Sequence, residues 1–371
     1  MTKKPIGVGI IGASKTSWAA VAHIPALRLI PDFKLVAVST SNQASAQAAA
    51  DAFGAAYAFD NAHDLANCPE VDLVVVSVKV PTHRQLVTAA LTAGKMVYCE
   101  WPLGNGTPEA EELTALAQAK GIRTFVGLQA VARPETRYLQ QVLAEGLIGE
   151  VLSTSVLGSG MSWGATVNQA GQYLLDPANG ATLLTIPVGH LLAAFARVVG
   201  DFQHLSATLA RRRTQVTLQP ENISLPQLTD DQVVVTGVLA QGAVASLHYR
   251  SGTTAGLNFH WEINGTKGDI VLSGDSGHYQ LAPVSLQYAP SGEALRPLPI
   301  PVELVGTEEP AQPVRGLYEA YQAVLNDLRH DTHYAPTFEN GLHLHRLLDR
   351  ITQASAEGRT LNVDLAAQLN N

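Results

Sequence analysis

The chain has 371 residues, and at roughly 100–200 residues per domain that length predicts two domains. Hydrophobic residues make up 46% and charged residues 15%, enough core-forming material to exclude wholesale disorder. The sum of 24 Lys+Arg against 32 Asp+Glu leaves −8, which argues against nucleic-acid backbone or anionic lipid as the main partner.

From the N-terminus, short β-rich runs alternate with helical ones. Strands are predicted at 8–11, 34–38, 71–78, 95–99 and 124–128, and helices at 18–29 (broken near Pro25), 44–53, 83–93 and 108–120. The run 71–78 is nearly all apolar, as a central strand buried on both faces requires. Strand–helix–strand repetition with short loops predicts a doubly wound parallel Rossmann sheet over 1–128. After 128 the pattern changes. A helix at 134–145 leads into β-rich segments at 151–157, 204–218, 233–250, 257–264 and 270–272, which suit a large, mostly antiparallel open sheet. Residues 283–313, rich in Pro and Gly, read as a long loop, and helices at 316–329 and 339–357 close the chain. The second domain, 129–371, is therefore expected to be α+β, with its last helices candidates to pack back on the first domain.

Two cysteines, Cys68 and Cys99, exclude a disulfide scaffold and fit a reducing compartment. The apolar start at 6–11 breaks at Ser14-Lys15 without a cleavage pattern, and no run approaches the roughly 18 apolar residues of a membrane span. A cytoplasmic protein is expected, with no membrane partner. Arg211-Arg212-Arg213 is the one candidate basic patch, and at a strand end it reads as a solvated edge.

Gly12 lies where the first strand ends and the first helix begins. A tight turn there aims backbone N–H groups at a pyrophosphate. The full glycine fingerprint needs Gly at 12, 14 and 17; this chain has Gly12, Ser14 and Ser17, with Ser14, Lys15 and Thr16 as phosphate donors by type. The second strand runs into Ser39-Thr40-Ser41 with no carboxylate for a ribose 2′-hydroxyl, which leaves both NAD and NADP open. The same hydroxyls are also suited to capping the next helix. Ligands of open α/β sheets lie beyond the carboxyl ends of the strands. Val78, Lys79 and His83 fall there, as do Glu100, Trp101 and Gln129.

Val8-Gly9-Ile10-Ile11-Gly12, Asp72-Leu73-Val74-Val75-Val76 with His83, Ala93-Gly94-Lys95, Glu100-Trp101-Pro102, Arg133-Pro134, Gly146-Leu147-Ile148-Gly149-Glu150 and the turn Gly265-Thr266-Lys267-Gly268-Asp269 occur in this order. With them the chain resembles the Gfo/Idh/MocA family (glucose–fructose oxidoreductase / inositol dehydrogenase) over nearly its whole length. Trp18-Ala19, His23, Lys79-Val80, Trp163 and Gly189-His190 are similar to the branch containing the fungal galactose-pathway repressor. The resemblance implies NAD or NADP as cofactor and a carbohydrate substrate contacted by Trp101, Arg133, Trp163, Tyr173 and His190. It further implies a homodimer or homotetramer formed through the C-terminal sheet. Two departures stand out: Trp101 takes the place of the family's Glu-Lys-Pro lysine, and His190 has Ile186 and Ala193 where the family's enzymes carry acidic residues.

Oxidising an alcohol also removes a hydroxyl proton, and a positioned acid–base group contributes roughly 10²–10⁴ in rate. Lys79 is the expected substitute for the missing lysine, with His190 and then Tyr173 as further catalytic candidates. Three readings follow. One is an NAD(P)-dependent oxidoreductase of a sugar, polyol or glycoside; another is a catalytically silent dinucleotide sensor that binds a protein partner. The third is an NAD-dependent glycosidase working by transient oxidation and elimination. No metal is expected: His343 and His345, two apart on a helix, face different ways, and no zinc or serine-nucleophile motif occurs.

Overall fold

The computed structural model describes residues 4–305 and 310–363. Expectations touching 1–3, 306–309 and 364–371, the outer ends of both domains among them, lie outside the described residues. Contacts divide the chain into a first unit of residues 1–132 with 308–342 and a second of 133–307 with 343–371.

The first unit is a parallel sheet of β1 (Ile6–Ile11), β2 (Phe33–Ser39), β3 (Tyr57–Phe59), β4 (Leu73–Val76), β5 (Met96–Glu100) and β6 (Thr124–Gly127), in the order β3-β2-β1-β4-β5-β6. Winding reverses between β1 and β4, the switch point at which such sheets open a ligand crevice. Every residue of β4 is buried. Pro25 does not break the first helix: a π-helical turn, Ala19–His23, passes into the α-helix Ile24–Arg28, and Pro25, which has no N–H to give the ladder, lies just past the π-turn. The short β3 and the helix Ala62–Asn67, capped by the Asn61 side chain, were not legible as periodic runs. The helix Val314–His330 adds Leu317, Tyr321 and Val324 to one core with Val8, Ile10, Val75 and Tyr98. The first unit thus takes in residues from the C-terminal part of the chain, where the sequence offers helices to pack back on it.

In the second unit the strands are β7 (Val151–Ser159), β8 (Thr166–Asn168), β9 (Phe202–Ala210), β10 (Gln215–Gln219), β11 (Ile223–Pro226), β12 (Gln232–Leu239), β13 (Val244–Arg250), β14 (Phe259–Gly265), β15 (Gly268–Gly274), β16 (Val284–Pro290), β17 (Arg296–Pro297) and β18 (Leu361–Asn362). Among the described residues nine of them form one sheet, β17-β16-β15-β14-β7-β13-β12-β9-β18, antiparallel except where β13 meets β7. A smaller sheet runs β11-β10-β8. Along β13, Ala245, Leu247 and Tyr249 are buried while Val244 and Ser246 are exposed, the alternation of a sheet covered on one face. The helix Gly189–Val199 covers that face, with Phe195 stacked on Trp261 at 5.8 Å.

Three expectations need correction here. Residues 283–313 are not one loop: β16 carries the buried Leu286 and Ala289, and β17 and the helical turn Val302–Val305 follow. The segments 204–218 and 233–250 each split into two strands, the first at Arg211–Arg213, whose exposed link is held by Arg212 N–H and Arg213 N–H donating to Asp231. Finally, Pro177–Val199 does have the length and mean hydropathy (1.6) of a membrane span, but 67% of that window is buried, as in a core helix.

Candidate dinucleotide site

Gly12 ends β1 at φ +92°, and a Cβ there would meet Ser77 O at 2.3 Å. Only glycine allows this approach of two strand tips. The turn is held from β2: the N–H groups of Gly12 and Ala13 both donate to Ser39 O, at 2.9 and 3.2 Å. Ser39 therefore acts through its carbonyl, with its side chain buried. Ser17 closes the loop by donating its hydroxyl to Ser14 O at 2.7 Å and receiving Ala20 N–H. Among the described residues, the N–H groups of Ser14, Lys15 and Thr16 find no protein acceptor, and the buried Ser77 Oγ and Trp18 Nε1 are likewise without a partner. Buried polar groups are nearly always hydrogen-bonded. A polar ligand laid across the β1–β4 tips would satisfy these, so the residues present fit a dinucleotide.

Beyond β2, Thr40 donates to Asn42 O (3.0 Å) and touches Ser45 Oγ, while Asn42 Oδ1 accepts Ser45 N–H at 2.9 Å. Thr40 thus serves as part of the cap of the helix Gln43–Phe53, and the exposed Ser41 is the hydroxyl still turned outward. No carboxylate stands among residues 39–42.

At the other half of the sheet, His83 is enclosed, with Nδ1 2.8 Å from Pro102 O and Nε2 3.0 Å from Val78 O. It ties the β4 and β5 tips together, and burial lowers its pKa. It supports the site from within the packing, a correction to its expected direct cofactor contact. Lys79 is exposed just past β4. Glu100 Oε1 accepts Gln129 Nε2–H at 3.0 Å and lies 3.4 Å from His23 Nε2, close enough for charge but short of hydrogen-bond alignment. Trp101 is buried, and the following peptide to Pro102 is cis. His23 and Tyr321 are the site residues that strand-tip reasoning does not reach.

The second unit holds the other sequence candidates. Arg133 is buried with its guanidinium on Glu135 (3.0 Å), on the carbonyls of Tyr279 and Ala282, and over the Tyr279 ring. It braces this unit, and that enclosure corrects its expected substrate contact. His190 is buried with Nδ1 lacking a hydrogen-bond partner among the described residues. Burial, and then His278, push its pKa down to about 3, which makes it a neutral hydrogen-bonding group and a weak base. Trp163 takes a left-handed backbone (φ +60°) and stacks on His278 at 6.2 Å. It lines a pocket of about 300 Å³ with Met161, Asn168, Leu174, Leu175 and Gln219. Tyr173 lies in the adjoining 3-10 segment, and burial raises its phenol pKa.

Strand order, the glycine turn and the polar strand tips together define a dinucleotide-binding Rossmann unit joined to an α+β unit built on an open sheet. Residues 6–128 match the family model described as "Oxidoreductase family, NAD-binding Rossmann fold", and residues 134–274 match "Gal80p, C-terminal domain". The first unit is therefore similar to the NAD-binding Rossmann domains of that oxidoreductase family, and the second to the C-terminal domain of Gal80p. Among the chain's relatives is the dehydrogenase aclE of Aspergillus oryzae, 29% identical over 96% of this chain and 98% of the relative. A super-repressor mutant of Gal80p from Saccharomyces cerevisiae shares the fold with a TM-score of 0.88, at 23% identity over 97% of this chain and 98% of that one. A levoglucosan dehydrogenase, solved with NADH and levoglucosan, superposes with a TM-score of 0.83 at 21% identity over 98% and 100%.

Proposed function

We propose that the protein is an NAD(P)-dependent oxidoreductase that removes a hydride from a hydroxyl-bearing carbon of a sugar, polyol or glycoside. The observation that carries this reading is Lys79, an amine exposed at the tip of β4, one strand from the β5 tip where Trp101 replaces the family's lysine. A bound nicotinamide supplies the hydride acceptor. Lys79 orients the substrate hydroxyl and, in its neutral amine form, takes the hydroxyl proton to become an ammonium, a task for which the weakly basic His190 is unsuited. Trp101 presents an indole and no proton. The levoglucosan complex of a structural neighbour supports a carbohydrate as the substrate class.

Lys79→Ala should lower turnover on a responsive sugar by at least about 10² while calorimetry shows dinucleotide affinity within twofold of the wild type. Undiminished turnover would remove Lys79 from the mechanism. A second reading, a sensor without turnover, is favoured by Trp101 and by the apolar neighbours Ile186 and Ala193 of His190. It predicts tight dinucleotide binding and no nicotinamide absorbance change across a broad panel of sugars and glycosides. Product release without net absorbance change would mark the glycosidase route.

A further inference from the structure

Inside the first unit a chain of polar groups runs from the helix Val314–His330 to the tip of β5. Tyr321 OH lies 2.7 Å from His23 Nδ1, His23 Nε2 lies 3.4 Å from Glu100 Oε1, and Glu100 Oε1 accepts Gln129 Nε2–H. His23 and Tyr321 are fully buried. Around them Tyr98 packs edge-on against His23 at 5.9 Å and tilts against Tyr321 at 5.1 Å. The arrangement fixes the tautomer of the neutral imidazole. Were Nδ1 to carry the proton, the bare Nε2 lone pair would face a carboxylate oxygen across 3.4 Å in a low-dielectric interior, which is repulsive. With Tyr321 O–H donating to Nδ1, the Nε2–H faces Glu100 and the contact is attractive. Burial keeps the proton on Tyr321, so the donor is always present.

We infer that His23, oriented by Tyr321, is a positioning residue for the nicotinamide end of the dinucleotide: it holds the Glu100 side chain with Gln129 and thereby the Glu100-Trp101 turn. The half of the molecule follows from the topology. A dinucleotide fold consists of two mononucleotide-binding halves, with the phosphate turn and the ribose-reading position after β1 and β2. The tips of β4, β5 and β6 are left for the nicotinamide half, and both groups that His23 organises, Glu100 and Gln129, lie there. The inference rests on reading the first unit as a dinucleotide seat.

The test compares NADH with ADP-ribose, which keeps the adenosine, pyrophosphate and second ribose but lacks nicotinamide. In calorimetric titrations, Tyr321→Phe should weaken NADH about fivefold or more, the scale of one lost buried hydrogen bond, and leave ADP-ribose within twofold. Glu100→Gln, nearly the same size, should do the same without emptying any core volume. Equal loss for both ligands in both variants would make the cluster merely structural, and no loss for either would remove its role. Wild type that binds neither ligand would overturn the dinucleotide seat itself, and the inference with it. Independently of any ligand, ¹⁵N shifts of the His23 ring at pH 8 should report a bare Nδ1 and a protonated Nε2. The opposite tautomer would overturn the arrangement.

Discussion

Burial pushes the pKa of His190 down to about 3 and that of His345 to about 4, whereas an imidazole in an unfolded chain titrates near 6.5. The folded values are depressed, so between these limits the unfolded state binds protons that the folded state refuses. The stability linked to each ring is complete above about pH 6.5 and is lost as pH falls toward the folded pKa, with a slope of about 1.4 kcal/mol per pH unit for each ring once pH is well below 6.5. His190→Asn should therefore flatten the decline between pH 6 and pH 5 by nearly one proton. Urea unfolding of both proteins across that interval measures it, and parallel stability–pH curves would mean that the native ring is already protonated. The same depression makes the His190 ring a neutral hydrogen-bonding group and a weak base.

Single residues differ in how much of this the chain discloses. Lys79, Glu100 and Gln129 are readable because a strand-tip rule points at the position after each apolar run. The His23–Tyr321 contact spans 298 residues, and nothing local in either segment announces it: Tyr321 looks like one more apolar position of an amphipathic helix. Arg133 misleads in the opposite direction. Its type suggests a ligand contact, but it is buried with Nε on Glu135 and Nη1 on the carbonyls of Tyr279 and Ala282.

At the level of elements, the β1 turn is the most constrained. Gly12→Ala combines a left-handed φ of +92° with a would-be Cβ 2.3 Å from Ser77 O. Backbone strain of this kind costs about 1–3 kcal/mol, and relief requires the β1 and β4 tips to separate. The expected outcome is a lower melting temperature and, because the N–H groups of residues 14–16 shift with the turn, at least a tenfold loss of dinucleotide affinity by calorimetry. Wild-type affinity in the variant would show that the turn does not shape the seat. The regular alternation around this turn is why the parallel sheet is legible: β4 is apolar throughout, and its neighbours recur at even spacing. By contrast the sequence of β16 alternates apolar and polar over Val284–Tyr288, but Pro283, Pro290, Pro297, Pro299 and Pro301 crowd the surrounding segment and mask it. Proline counts describe a neighbourhood; side-chain alternation describes the strand.

For the chain as a whole, the consequential fact is that the Rossmann unit is assembled from two separated stretches. Leu317, Tyr321 and Val324 from the helix Val314–His330 are all at most 1% exposed and pack with Val8, Ile10 and Tyr98. Full burial of such side chains contributes about 1.5–3 kcal/mol each, and three together approach the roughly 5–15 kcal/mol by which a whole domain is stable. Residues 1–132 alone should therefore fail to melt cooperatively, should bind hydrophobic dyes, and should not bind dinucleotide. Joining 310–342 to 1–132 through a flexible Gly/Ser linker should restore a cooperative transition and dinucleotide binding within about tenfold of the full chain, because the linker returns both the missing core and Tyr321 behind His23. A cooperative, dinucleotide-binding 1–132 fragment would show that the helix is dispensable to the sheet, and would also deprive the His23 ring of the donor that orients it.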